Sequence, residues 1–203
     1  MKIGPKYKIA RKLGGGIFEK TQTAKFALAD QKKKAASKKF ARPKSGFGLQ
    51  LAEKQKVKYV YGLTTKQLGR YVHAVLDSKS KTPAEDLYKN LELRLDNIVL
   101  KAGLAKTRFQ ARQIVSHGHI TIDGKRVTIP SLSVEEKHTI SVRESRKSSP
   151  LFMDFEGRAK DVIVPDWIKV DPKTMTIKIK GSATYKAGET PFDLQEIIQS
   201  FKG

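Results

Sequence analysis

Apolar residues recur at helical spacing between Phe47 and Gly118 and at alternate positions just beyond His119, which predicts helices first and a small sheet afterwards. Phe47, Leu51, Val57 and Tyr61 share one helical face, and Gly62 stands where a left-handed C-terminal cap falls. Thr64-Thr65-Lys66-Gln67 has the form of a capping box and opens a helix carrying Leu68, Tyr71, Val72 and Val75. The polar stretch 77–81 is a linker, and Thr82-Pro83-Ala84-Glu85 is a second helix start, with Pro83 at the first helical position. Leu87, Leu91, Leu95, Ile98, Val99 and Ala102 then predict one long helix with a buried stripe, stopped at Gly103. Thr107-Arg108-Phe109-Gln110 opens a shorter helix through Ala111, Ile114 and Val115, ended by Gly118.

From His119 the period changes to two. His119-Ile120-Thr121-Ile122, the Asp123-Gly124 turn and Lys125-Arg126-Val127-Thr128-Ile129 form a hairpin. Thr139 to Arg143, Val162 to Val164 and Met175 to Lys180 are further strand candidates, giving a small antiparallel sheet packed on two helices. Asp193 caps a last helix that aligns Leu194, Ile197, Ile198 and Phe201. Residues 1–41 have no wide apolar face; they contain Gly14-Gly15-Gly16 and the lysines Lys32, Lys33, Lys34, Lys38 and Lys39, and read as an extension that orders on binding.

Charge turns this outline towards a polyanion. Lys and Arg number 41 against 20 Asp and Glu, a net charge of +21. Seventeen of the basic residues lie in residues 1–60, against three acids, Glu19, Asp30 and Glu53. There is no cysteine, so disulfides and thiolate metal sites are excluded, and His73, His117, His119 and His138 do not make a zinc pattern. No metal and no cofactor is expected. No apolar run approaches the roughly twenty residues of a membrane span, and the N-terminus lacks the form of a signal peptide, so membrane association is not expected and the chain should stay in the compartment where it is made, the cytoplasm or an organelle.

The most informative stretch is 91–129, helix, turn, helix and hairpin, with Arg94, Lys106, Thr107, Arg108, Gln110, Arg112, His117, His119 and Lys125 as exposed candidates for RNA contact. Lys106 and Arg108 at a helix start suit phosphate, and the mixture with Gln and His suits a folded RNA rather than duplex DNA. Lys6, Lys8, Arg11, Lys38, Lys39, Arg42, Lys44, Lys54, Lys56, Lys58 and Arg70 extend the basic set through the N-terminal half.

Leu91-Glu92-Leu93-Arg94-Leu95-Asp96-Asn97, Thr107-Arg108-Phe109-Gln110-Ala111-Arg112-Gln113 and Ser116-His117-Gly118-His119 resemble the S-four RNA-binding module. Arg42-Pro43-Lys44, Gly48 to Val57 and Tyr59-Val60-Tyr61-Gly62 are similar to the helical domain of the bacterial-type ribosomal family of that name. Gly4-Pro5-Lys6, Val127 to Ser131 and Val164 to Asp171 extend the resemblance over most of the chain.

The resemblance implies an α+β protein: a basic N-terminal extension (1–41), a small helical domain (42–86, completed by 187–203) and an inserted RNA-binding module with its antiparallel sheet (87–186). It implies a monomer within the ribosome that binds the five-prime domain of small-subunit rRNA early in assembly and contacts neighbouring small-subunit proteins. It also implies a place beside messenger RNA (mRNA) where the message enters the subunit, through Lys38, Lys39, Arg42 and Lys44, and a contribution to translational accuracy. Many family members carry zinc-binding cysteines near the N-terminus; Tyr7 and Ala10 occupy two of those positions here, so no zinc is expected. An enzyme built on the same module is disfavoured because about seventy residues remain after it, too few for a catalytic domain, and no nucleophile-elbow or phosphate-loop motif occurs. A rescue factor for stalled large subunits would need little beyond residues 87–150.

Overall fold

The computed structural model describes residues 3–36, 45–186 and 188–202. Lys38, Lys39, Arg42 and Lys44 lie outside them. The chain divides into two compact units, Met1–Leu87 with Tyr185–Gly203, and Tyr88–Thr184.

The first unit contains α1 (Lys6–Leu13), two 3-10 turns (Gly15–Ile17 and Glu19–Thr21), α2 (Ala24–Ala36), α3 (Gly46–Tyr61) and α4 (Thr65–Asp77). It continues into α5 (Pro83–Glu92), which carries the chain into the second unit. The described part of the segment read as a separate extension is folded into this unit. Ala10, Leu13, Ile17, Phe18 and Phe26 form one core with Ala52 of α3. The reason is local: Thr21 Oγ1 donates to the carbonyls of Gly15 (2.6 Å) and Phe18 (2.9 Å), which curls the glycine-rich stretch and turns Ile17 and Phe18 inward. Ala10, Leu13 and Ile17 keep helical spacing, but the glycine run and the two 3-10 turns interrupt it before Phe26.

Local signals in α3 and α4 appear as read. Gly62 adopts φ 61°, ψ 36°, the left-handed cap of α3. Thr64 accepts from the Gln67 amide while the Thr64 amide donates to Gln67 Oε1, a complete capping box. The face Phe47–Leu51 is not core, however: Phe47 is 75% exposed, because α3 turns its Ala52, Val57 and Tyr61 side inward.

The second unit contains α6 (Leu95–Lys101), α7 (Arg108–Ser116), β1 (Ile120–Ile122), β2 (Lys125–Val127), β3 (Thr139–Val142), α8 (Glu144–Lys147), α9 (Phe155–Asp161), β4 (Ile168–Asp171) and β5 (Thr176–Ile179). Its sheet is antiparallel in the order β2-β1-β3-β5-β4. Leu95, Ile98 and Val99 of α6 and Ala111, Ile114 and Val115 of α7 join Ile120, Ile140, Val142, Ile177 and Ile179 in one core. The hairpin turn has φ 49° at Asp123 and 78° at Gly124, the positive pair that matches strand twist. The last element, α10 (Leu194–Lys202), returns the chain to the first unit and buries Leu194, Ile197 and Ile198.

Two expectations are corrected. The single long helix from Pro83 to Ala102 is two, α5 and α6, broken at Arg94, which is extended at φ −66°, ψ 136°. The segment 130–134 causes the break: the Leu95 and Asp96 amides donate to the Leu132 and Pro130 carbonyls (2.9 and 3.0 Å), and the Val134 amide donates to the Leu93 carbonyl (2.9 Å). Val162–Val164 is not a strand. Ile163 is 96% exposed, and Ile168–Asp171 pairs with β5 instead.

Candidate nucleic-acid interface

The RNA-binding candidates in the second unit divide into internal ties and surface groups. Asp96 is fully buried and accepts both arms of Arg94, from Nε at 3.0 Å and a terminal nitrogen at 2.8 Å. It also accepts Arg112 Nε at 2.9 Å. Arg94 was expected at the surface, but it is itself only 3% exposed: a carboxylate at the start of α6 holds it in a bidentate pair, so it braces α6 and is not available to a ligand.

Beside this pair, Asn97 Nδ2 donates to the Glu92 carbonyl (2.9 Å) and to Glu92 Oε2 (3.0 Å), and Lys101 pairs with the same carboxylate. A terminal nitrogen of Arg108 donates to Asn97 Oδ1 at 2.8 Å, which draws the Arg108 head towards the α5–α6 junction. At the start of α7, Thr107 Oγ1 accepts the Gln110 amide (3.2 Å) and Gln110 Oε1 accepts the Lys106 amide (2.7 Å). The Lys106 and Gln110 amides are therefore already capped. Lys106 remains exposed, as does the ring of Phe109 at 75%, an aromatic set among cations that sequence reasoning did not single out.

The surface groups converge where α7 runs into β1. His117 is exposed and its ring lies 5.9 Å from that of His119, centroid to centroid. Burial and the charges of Arg146, His117, Arg143 and Arg126 hold the His119 imidazole below its ordinary pKa, burial being the largest cause. The arginines whose charge reaches this ring are Arg126 from β2, Arg143 after β3 and Arg146 from α8. Arg126 donates to the His117 carbonyl (3.3 Å), and the Arg143 amide donates to the His119 carbonyl (2.8 Å). None of these three arginines was among the sequence candidates. The run Arg143, Arg146, Lys147 after a strand carried the signal, but its proximity to His119 follows from the pairing of β1 with β3. Lys125 is exposed on the same hairpin.

Gly118 is what lets this corner close. Its φ is +69°, and a Cβ there would lie 2.0 Å from Arg126 Nε. Gly118→Ala is expected to lower stability by about 1–2 kcal/mol from the left-handed backbone and to push Arg126 off the His117 carbonyl, measured by urea unfolding and by the His117 and His119 ring resonances. Acid should act here too. The unfolded chain takes up the His119 proton more readily than the folded one, so the stability is present above the ordinary value of 6.5 and is lost as pH falls from there through the lower folded value. His119→Gln should flatten unfolding free energy against pH in that window; an unchanged slope would exclude the effect.

In the first unit, Lys8, Arg11 and Arg70 are exposed and Lys6 and Lys58 half-buried. Arg11 lies 3.9 Å from Asp30. Lys54 and Lys56 are engaged within the chain. Lys54 Nζ donates to the Ser200 carbonyl (3.1 Å) and sits 4.2 Å from the Phe201 ring centroid, capping the end of α10. Lys56 pairs with Glu53 at 2.6 Å, whose other oxygen accepts the Asp193 amide at the start of α10 (2.9 Å). Lys54→Met is expected to lower the stability of this unit by about 1 kcal/mol, read from denaturant unfolding.

Among the described residues no three His, Cys, Asp or Glu side chains gather to hold a metal ion, and no helix is long and apolar enough to cross a membrane.

Two helices braced on an antiparallel sheet, with cations converging on the end of the second helix, define an RNA-binding module joined to a helical unit. Two family models match the chain. Residues 93–140 match the S4 domain, and residues 1–92 match the ribosomal protein S4/S9 N-terminal domain. Small ribosomal subunit protein uS4 of Corynebacterium jeikeium is 41% identical over 157 residues, covering 77% of this chain and 78% of the relative. The uS4 protein of Corynebacterium kroppenstedtii is 40% identical over the same length and shares, and that of Lachnospira eligens is 35% identical over 172 residues, 85% of this chain and 87% of the relative. The chain belongs to the uS4 family of small ribosomal subunit proteins. It is a structural component of the ribosome and not an enzyme.

Proposed function

We propose that this chain binds the five-prime domain of small-subunit rRNA and nucleates assembly around it. The observation that carries the proposal is the gathering of Arg126, Arg143 and Arg146 near the His117–His119 corner, a local concentration of positive charge that suits a polyanion. Lys106, Lys125 and Phe109 extend that surface. Arg108 and Arg112 hold the α5–α6 junction and α7 in place; the Arg108 head is turned inward, whereas the Arg112 side chain stays 26% exposed and open to phosphate. In the first unit Lys6, Lys8, Arg11, Lys58 and Arg70 supply further phosphate contacts. Replacing Arg126, Arg143 and Arg146 together with Ala should weaken binding of the five-prime-domain fragment at least a hundredfold while the unfolding midpoint stays within the range of single surface variants. An unchanged affinity would move the interface elsewhere.

The charge excess of residues 1–60 supports a second contact of the same chemistry, with mRNA where it enters the subunit, through Lys38, Lys39, Arg42 and Lys44. This is the route by which the protein contributes to the handling of structured messages. Reversing the four charges should slow unwinding of a structured message on assembled ribosomes; unaltered unwinding removes the role. The exposed apolar residues Phe47, Leu49 and Leu51 on α3 suit a neighbouring small-subunit protein. The protein works as one copy per cytoplasmic ribosome, without cofactor or zinc.

A further inference from the structure

At the foot of the arginine corner, Gln110, Gln113, Ile114, His117, His119 and Leu151 line a cleft of about 180 Å³. We infer that this cleft receives a single unstacked base of the bound RNA, which goes beyond phosphate contact and rests on the rRNA-binding reading above.

The lining is wrong for an anion alone. Ile114 and Leu151 offer no donor to phosphate, whereas they and the imidazoles give a flat base apolar and aromatic walls. The Gln113 amide carries both a donor and an acceptor, the complement of a base edge, while Gln110, whose Oε1 takes the Lys106 amide, offers its amide nitrogen. One polar atom is also left over: His119 Nδ1 is buried and has no hydrogen-bond partner among the described residues. A buried nitrogen without a partner is costly unless a ligand supplies one. The low proton affinity of the His119 ring keeps it neutral near pH 7, able to accept or donate at Nδ1 according to tautomer. Arg126, Arg143 and Arg146 stand around the same imidazole, where the sugar-phosphate of an extruded nucleotide would need countercharge.

The test uses the full chain bound to the five-prime-domain fragment of small-subunit rRNA, with chemical probing of every base edge. Wild type should protect at least one unpaired base that His119→Ala and Gln113→Ala leave reactive; Gln113 is an exposed α7 residue, so its variant keeps the fold. Making that nucleotide abasic should weaken wild type about tenfold and His119→Ala less than twofold. If no protected base depends on His119 or Gln113, or if the abasic RNA weakens wild type and variant equally, the cleft holds no base although rRNA binding stands. A wild-type chain that fails to bind the fragment removes the rRNA reading itself and the base site with it.

Discussion

Asp96→Ala is expected to lower the unfolding free energy by about 3–5 kcal/mol, the largest effect of any single replacement considered. The carboxylate has no exposed surface, and its partner Arg94 has a side chain only 4% exposed, so deleting the acid leaves a guanidinium buried with its main countercharge gone. Arg112 loses the same partner. Urea unfolding should show a lower midpoint with an unchanged slope, because the surface exposed on unfolding is the same. Glu135→Gln is the contrast: the Glu135–Lys137 pair is 63% and 73% exposed, and its loss should leave the midpoint where it was. Equal effects of the two variants would mean that the Asp96 pair does not hold the module together.

Salt should have the largest effect on binding. An interface neutralising roughly eight phosphates gives a log–log slope of about −6 to −7, so affinity for the rRNA fragment should fall by roughly four orders of magnitude between about 50 and 200 mM salt. Arg146→Ala should make that slope shallower by about one unit if its guanidinium meets a phosphate. A slope near zero would mean that the net charge of +21 is not what holds the RNA.

How much of this could be read from the sequence depended on the range of the interactions involved. The Thr64–Gln67 box, the Gly62 cap and the Asp123-Gly124 turn are determined by residues within a few positions of one another, and they could be read directly. The break at Arg94 could not, because the carbonyls that take the Leu95 and Asp96 amides come from Leu132 and Pro130, beyond the hairpin. Strand β4 was passed over for the more apolar Val162–Val164. Ile168-Lys169-Val170-Asp171 does alternate, but over only four residues, and pairing with β5 is what establishes the strand. The basic residues carried the same ambiguity. Composition pointed to a polyanion partner, but it could not separate Arg94 and Lys54, which bond within the protein, from Arg126, Arg143 and Arg146, which come near His119 only after the sheet forms.

The central claim is that this surface selects a folded ribosomal RNA and not simply negative charge. The direct test is competition binding of the whole chain to the five-prime domain of small-subunit rRNA at physiological salt, against duplex DNA and large-subunit RNA fragments. Tight binding that neither competitor displaces at large excess is the predicted result. Equal displacement by every polyanion would contradict it.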